Sequence, residues 1–75
     1  MPSREIKPKI LLKALLKAGF EVKRRKGSHV FVERIQDKEV RMTSISLHNK
    51  PVPRGTLRAI LKQVGMSEEE LGQMM

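Results

Sequence analysis

In the stretch Lys23-Arg24-Arg25-Lys26-Gly27-Ser28-His29, residue types and spacing could do chemistry. Four consecutive cations lead into a Gly-Ser pair, and an imidazole stands directly after it. An imidazole exchanges its proton near neutral pH, and clustered cations collect phosphates. Together these groups suit cleavage of RNA by its own ribose. The 2′-hydroxyl attacks the adjacent phosphorus once a base removes its proton, while cations stabilise the developing charge. His29 is the candidate general base. Lys23, Arg24 and Lys26 are candidates to hold the phosphate beside the Gly27-Ser28 turn, where Ser28 can donate a hydrogen bond from its hydroxyl or backbone N–H. Such a reaction needs neither metal nor cofactor. The bland alternative is that His29 is an ordinary strand residue following a turn.

Other chemistries find less support. The two histidines, His29 and His48, are not spaced as a zinc pair, and there is no cysteine. No nucleophile elbow or Gly-rich phosphate loop is present, and the carboxylates are scattered along presumed strand surfaces. His48 lies in the turn-forming sequence His48-Asn49-Lys50-Pro51, where a histidine is more often structural or merely exposed. Lys50 and Arg54 are further candidates for phosphate contact. The only aromatics are Phe20 and Phe31, too few for a platform that stacks single-stranded bases. Binding through phosphate and sugar, sensitive to salt and weakly selective for sequence, is the expectation.

The elements that must position these groups fit one small domain spanning residues 1–75. The chain has 75 residues, 16 Lys+Arg against 8 Asp+Glu and a formal net charge of +8. All of the cations precede Ser67, while Glu68, Glu69 and Glu70 follow it. That asymmetry points to a polyanion partner for the body; lysines that only solubilise a small surface are the alternative. No apolar run approaches the ~20 residues that span a bilayer, and the absence of cysteine fits a reducing compartment. A cytoplasmic protein without membrane attachment is expected.

Residues 1–7 read as a polar lead-in. Pro8 suits the first turn of a helix, whose stripe is Leu11, Leu15 and Ala18, widened by Leu12 and Leu16. Lys9, Lys13 and Lys17 lie on another face, and Gly19 closes the helix. A basic helix lying on a membrane surface is the rival reading of this segment. Phe20–Lys26 and His29–Ile35 form a hairpin around Gly27-Ser28. Gln36-Asp37-Lys38 is a polar turn, and Glu39–Thr43 is a third strand. Ser44–Val52 reads as irregular. Pro53 opens a second helix with Leu57, Ile60, Leu61 and Val64 on one side and Arg54, Arg58 and Lys62 on the other. Ser67 and Glu70 form a capping box, with Met66 and Leu71 placed as a hydrophobic staple. A short terminal helix over 66–75 would then cover an edge of the core. The fold class is α+β in the order α-β-β-β-α, with a three-stranded antiparallel sheet and both main helices on one face. This is the order of double-stranded-RNA-binding domains, so a non-catalytic double-stranded-RNA-binding module is the alternative function.

Gly19-Phe20, Lys26-Gly27-Ser28-His29 and Gly55-Thr56-Leu57-Arg58-Ala59-Ile60-Leu61-Lys62-Gln63-Val64-Gly65 together resemble the HicA toxin family of mRNA interferases. The similarity covers roughly residues 7 to 66. It implies a double-stranded-RNA-binding-like fold, endoribonuclease activity on messenger RNA, and neutralisation by a HicB-type antitoxin that covers the active site. The histidine of the family's Gly-Ser-His motif maps onto His29. Many members carry a second histidine or an aromatic just after it, whereas this chain has Val30-Phe31. Residues 67–75 lie outside the resemblance.

Overall fold

The computed structural model describes residues 6–75. Its elements are α1 (Pro8–Lys17), β1 (Glu21–Lys26), β2 (His29–Gln36), β3 (Glu39–Ser46), α2 (Arg54–Val64) and α3 (Glu68–Met74). Of the expected polar lead-in, residues 1–5 lie outside the described residues. Ile6 corrects the rest of that expectation: it is buried in the core, and its carbonyl accepts a 2.8 Å hydrogen bond from the Val52 N–H. The approach to α1 is thereby tied to the loop before α2.

Pro8 occupies the start of α1, where its missing N–H leaves nothing unpaired. The buried stripe is Leu11, Ala14 and Leu15, with Leu12 and Ala18 at its margin and Leu16 exposed. Each residue turns about 100° around the helix axis, so a face centred on Leu11 and Leu15 takes in Ala14 and sends Leu16 to solvent. The chain leaves the helix at Gly19, whose φ of 101° few other residues tolerate. Arg34 of β2 closes this end. Its Nη1 donates to the Ala18 carbonyl at 3.0 Å, and its guanidinium lies 4.9 Å from the centre of the Phe20 ring.

The sheet is antiparallel in the order β1-β2-β3. Lys26 pairs with His29, so Gly27-Ser28 is the two-residue loop; Gly27 takes φ 59°. The second hairpin turns on Asp37-Lys38 with Gln36 paired to Glu39. Both central residues are left-handed, at φ 51° and 66°, as a type I′ turn requires. β3 is longer than expected. Ser44, Ile45 and Ser46 continue the ladder opposite Phe31, Val30 and His29, so the expected irregular stretch begins only at Leu47. Pairing with β2 outweighs the turn-forming tendency of the serines.

Val30 and Val32 of β2, with Thr43 and Ile45 of β3, are buried against the helices. The opposite face is open, with Ile35, Val40 and Met42 all exposed. α2 buries all four expected residues, Leu57, Ile60, Leu61 and Val64. It is tied to the sheet where the Thr43 hydroxyl donates to Gln63 Oε1 at 2.6 Å. Gly65 ends α2 in the left-handed conformation. The capping box of α3 forms in both directions between Ser67 and Glu70. Leu71 is 1% exposed within the core, and α3 packs against α1, as the docking expectation required. No described helix is long and apolar enough to cross a membrane.

Candidate functional site

His29 is the first residue of β2 and is exposed. Cross-strand pairing places Lys26 on one side of it and Ser46 on the other. Just past this point the exit of β3 is held against the hairpin turn, because the Leu47 N–H donates to the Ser28 carbonyl at 2.7 Å. The His48 N–H then donates back to the Ser46 carbonyl at 3.0 Å, a tight three-residue turn. The loop therefore doubles back beside His29 instead of leaving the sheet.

A cleft of about 500 Å³ results. His29, Ser46, His48 and Lys50 contribute polar groups to its wall, and Pro8, Val52 and Ile60 supply apolar surface. Ser46 buries its Oγ without a hydrogen-bond partner among the described residues. Also among the described residues, no three His, Cys, Asp or Glu side chains gather where they could hold a metal ion.

The basic run is divided by the geometry of β1. This strand is exposed along its whole length, and its register with β2 shifts between Val22 and Arg24, leaving Lys23 as an extra residue. Directly paired residues share a sheet face, so Lys26 shares one with His29 and Arg24 with Phe31, while Arg25 pairs with buried Val30. The Arg24 guanidinium lies 5.2 Å from the centre of the Phe31 ring. Strand alternation puts His29 and Phe31 on the same side, so Arg24 and Lys26 form one basic strip leading to His29. Lys23 is held differently, with Nζ 3.8 Å from Glu21 Oε1 and 4.0 Å from Glu33 Oε1. These exposed pairs contribute little stability, but they offset the positive charge that Lys23 presents.

The structure thus brings His29, Lys26, Gly27, Ser28 and Lys50 to one end of the sheet. Arg24 and Lys23 lie further along the hairpin. Arg54 is exposed at the start of α2, next to Pro53 of the cleft wall. The arrangement offers a proton-exchanging group on an open wall, with Lys26 paired across from it and Lys50 lining the same cleft. His48, given little weight from its loop sequence, shares that wall. The readable signal was register: a two-residue turn at Asp37-Lys38 pairs Gln36 with Glu39 and, counting outward, His29 with Ser46.

No curated protein matches this chain. A family model described as the HicA toxin of bacterial toxin-antitoxin matches residues 8–66, from the start of α1 through the residue after Gly65. The match takes in the hairpin, His29, the cleft loop and all of α2, and leaves α3 outside. The chain belongs to the HicA toxin family of bacterial toxin–antitoxin systems.

Proposed function

We propose that this protein is a metal-independent endoribonuclease that cleaves messenger RNA, with His29 as general base. One observation supports the reading above the others: His29 is exposed on the wall of a cleft, with Lys26 and Lys50 beside it. An imidazole there can take the proton of a ribose 2′-hydroxyl, which then attacks phosphorus. Lys26 and Lys50 stabilise the charge that builds on the non-bridging oxygens, a contribution that is large when donors are pre-positioned. Lys23, Arg24 and Arg54 guide the flanking phosphates, and Gly27 and Ser28 bring the turn backbone close to the RNA.

Membership of a toxin–antitoxin family implies an antitoxin partner. In this proposal it is a HicB-type protein that covers His29, and the toxin acts in the cytoplasm. Residues 1–75 act as one domain, with 66–75 an extension that serves the core.

The test incubates wild type and His29→Ala with RNA and with DNA of the same sequence, each with and without a chelator. RNA alone is expected to be cut, with or without chelator. The substitution should lower cleavage by about 10²–10⁴-fold, the usual contribution of a general base, while leaving RNA affinity and folding intact. Unchanged cleavage by His29→Ala would remove the base assignment. Binding without cleavage by the wild type would leave an RNA-binding module instead.

A further inference from the structure

We infer that His48 is a second catalytic residue, the general acid that protonates the departing 5′-oxygen; this rests on the ribonuclease reading above. The observation behind it is that two imidazoles, far apart in sequence, line one cleft. Their placement follows from backbone hydrogen bonding. Ser46 is the direct partner of His29, and the bond from the His48 N–H to the Ser46 carbonyl keeps His48 next to that pair. A phosphodiester seated in that cleft of about 500 Å³ can be reached by both rings. Both histidines are exposed, so neither ring is consumed by core packing.

Chemistry favours His48 over the other groups of the cleft. The leaving alkoxide needs a proton as the P–O5′ bond breaks. An acid works best when its affinity for the proton is matched to neutral pH. Imidazole meets that condition, whereas a lysine ammonium holds its proton more firmly and a guanidinium does not release it. The charged or titratable groups around the two rings are Lys26, across from His29, and Lys50, on the cleft wall. These cations are suited to the phosphate oxygens.

The step balances. His29 takes the 2′-hydroxyl proton as the O2′–P bond forms, the P–O5′ bond breaks, and His48 gives its proton to O5′. The products are a 2′,3′-cyclic phosphate and a 5′-hydroxyl, and both imidazoles re-equilibrate with water.

The test uses the full chain and two short RNAs with one cleavable linkage. In one the 5′-bridging atom is oxygen; in the other it is sulfur, which departs as a thiolate without needing a proton. His48→Ala is expected to slow cleavage of the oxygen-linked RNA by about 10²–10⁴-fold, and most of that loss should vanish with the sulfur-linked RNA. His29→Ala should slow both substrates alike. Equal loss on both substrates from His48→Ala, or no loss on either, would overturn the acid assignment while leaving His29 as base. Cleavage by His29→Ala at the wild-type rate would instead overturn the ribonuclease reading and this inference with it.

Discussion

Arg34 shows how one residue of a strongly basic chain can belong to the fold and not to the charged surface. It lies inside β2, its Nη1 donates to the Ala18 carbonyl at 3.0 Å, and its guanidinium stacks on Phe20. A cation at the last turn of a helix also complements the helix dipole. A hydrogen bond to a charged group contributes about 1.5–3 kcal/mol, and a cation–π contact adds about 0.5–1 kcal/mol at a partly exposed site. Arg34→Ala should therefore destabilise the protein by about 2–4 kcal/mol. The measurement is urea unfolding: the midpoint should fall while the slope stays constant. Arg24 is the contrast, stacked on Phe31 along a fully exposed strand. Its loss should weaken RNA binding and leave the unfolding midpoint nearly in place.

At the scale of elements, the two hairpin turns carry the site, and they are built with different ease. Gly27 supplies the positive φ of the first turn without a side chain to oppose it. In the second, Asp37 and Lys38 are both left-handed, and Lys38 is a residue type that rarely adopts that conformation. The left-handed region costs a non-glycine residue about 1–2 kcal/mol. Glycine costs about 0.5–1 kcal/mol more than alanine in backbone freedom lost on folding, so Lys38→Gly should stabilise by a net ~0.5–1 kcal/mol. For a chain of this size that corresponds to a rise of about 4–8 °C per kcal/mol in melting temperature. A fall in melting temperature would mean that the Lys38 side chain holds the turn by some other contact. The same turn explains what could be read from the residues alone. Apolar spacing predicts α2 residue for residue, and Gly-Ser between two strands predicts the first hairpin. The Ser44–Ser46 end of β3 was hidden because serines resemble a loop until register with β2 is counted. The bulge at Lys23 leaves no mark in a run of four cations, so the division of that run between faces had to come from the structure. Ile6 was hidden too, since a single apolar residue among polar ones has no periodicity to declare it buried.

At the scale of the whole molecule, the open question is whether the net charge of +8 acts at one place or everywhere. Lys9, Lys13 and Lys17 are exposed on α1, and Arg54, Arg58 and Lys62 on α2. A diffuse basic surface would make every cation equivalent. A strip along the hairpin into the cleft would single out Arg24, Lys26, Lys50 and Arg54, with a smaller share from Lys23. Each phosphate neutralised on single-stranded RNA adds about −0.7 to the slope of log affinity against log salt, so the four full contacts predict a slope of about −2.8. Lys26→Ala and Lys50→Ala should each reduce that slope by about 0.7. Lys23→Ala should reduce it by less, because Glu21 and Glu33 already lie 3.8 and 4.0 Å from its Nζ. Lys17→Ala, at the far end of α1 from Pro8 of the cleft wall, should leave it unchanged. The measurement is a salt titration of RNA affinity in the His29→Ala background, where the RNA stays whole. If Lys17→Ala and Lys26→Ala shift the slope equally, RNA is held by overall charge, and the strip leading to His29 has no special part in binding.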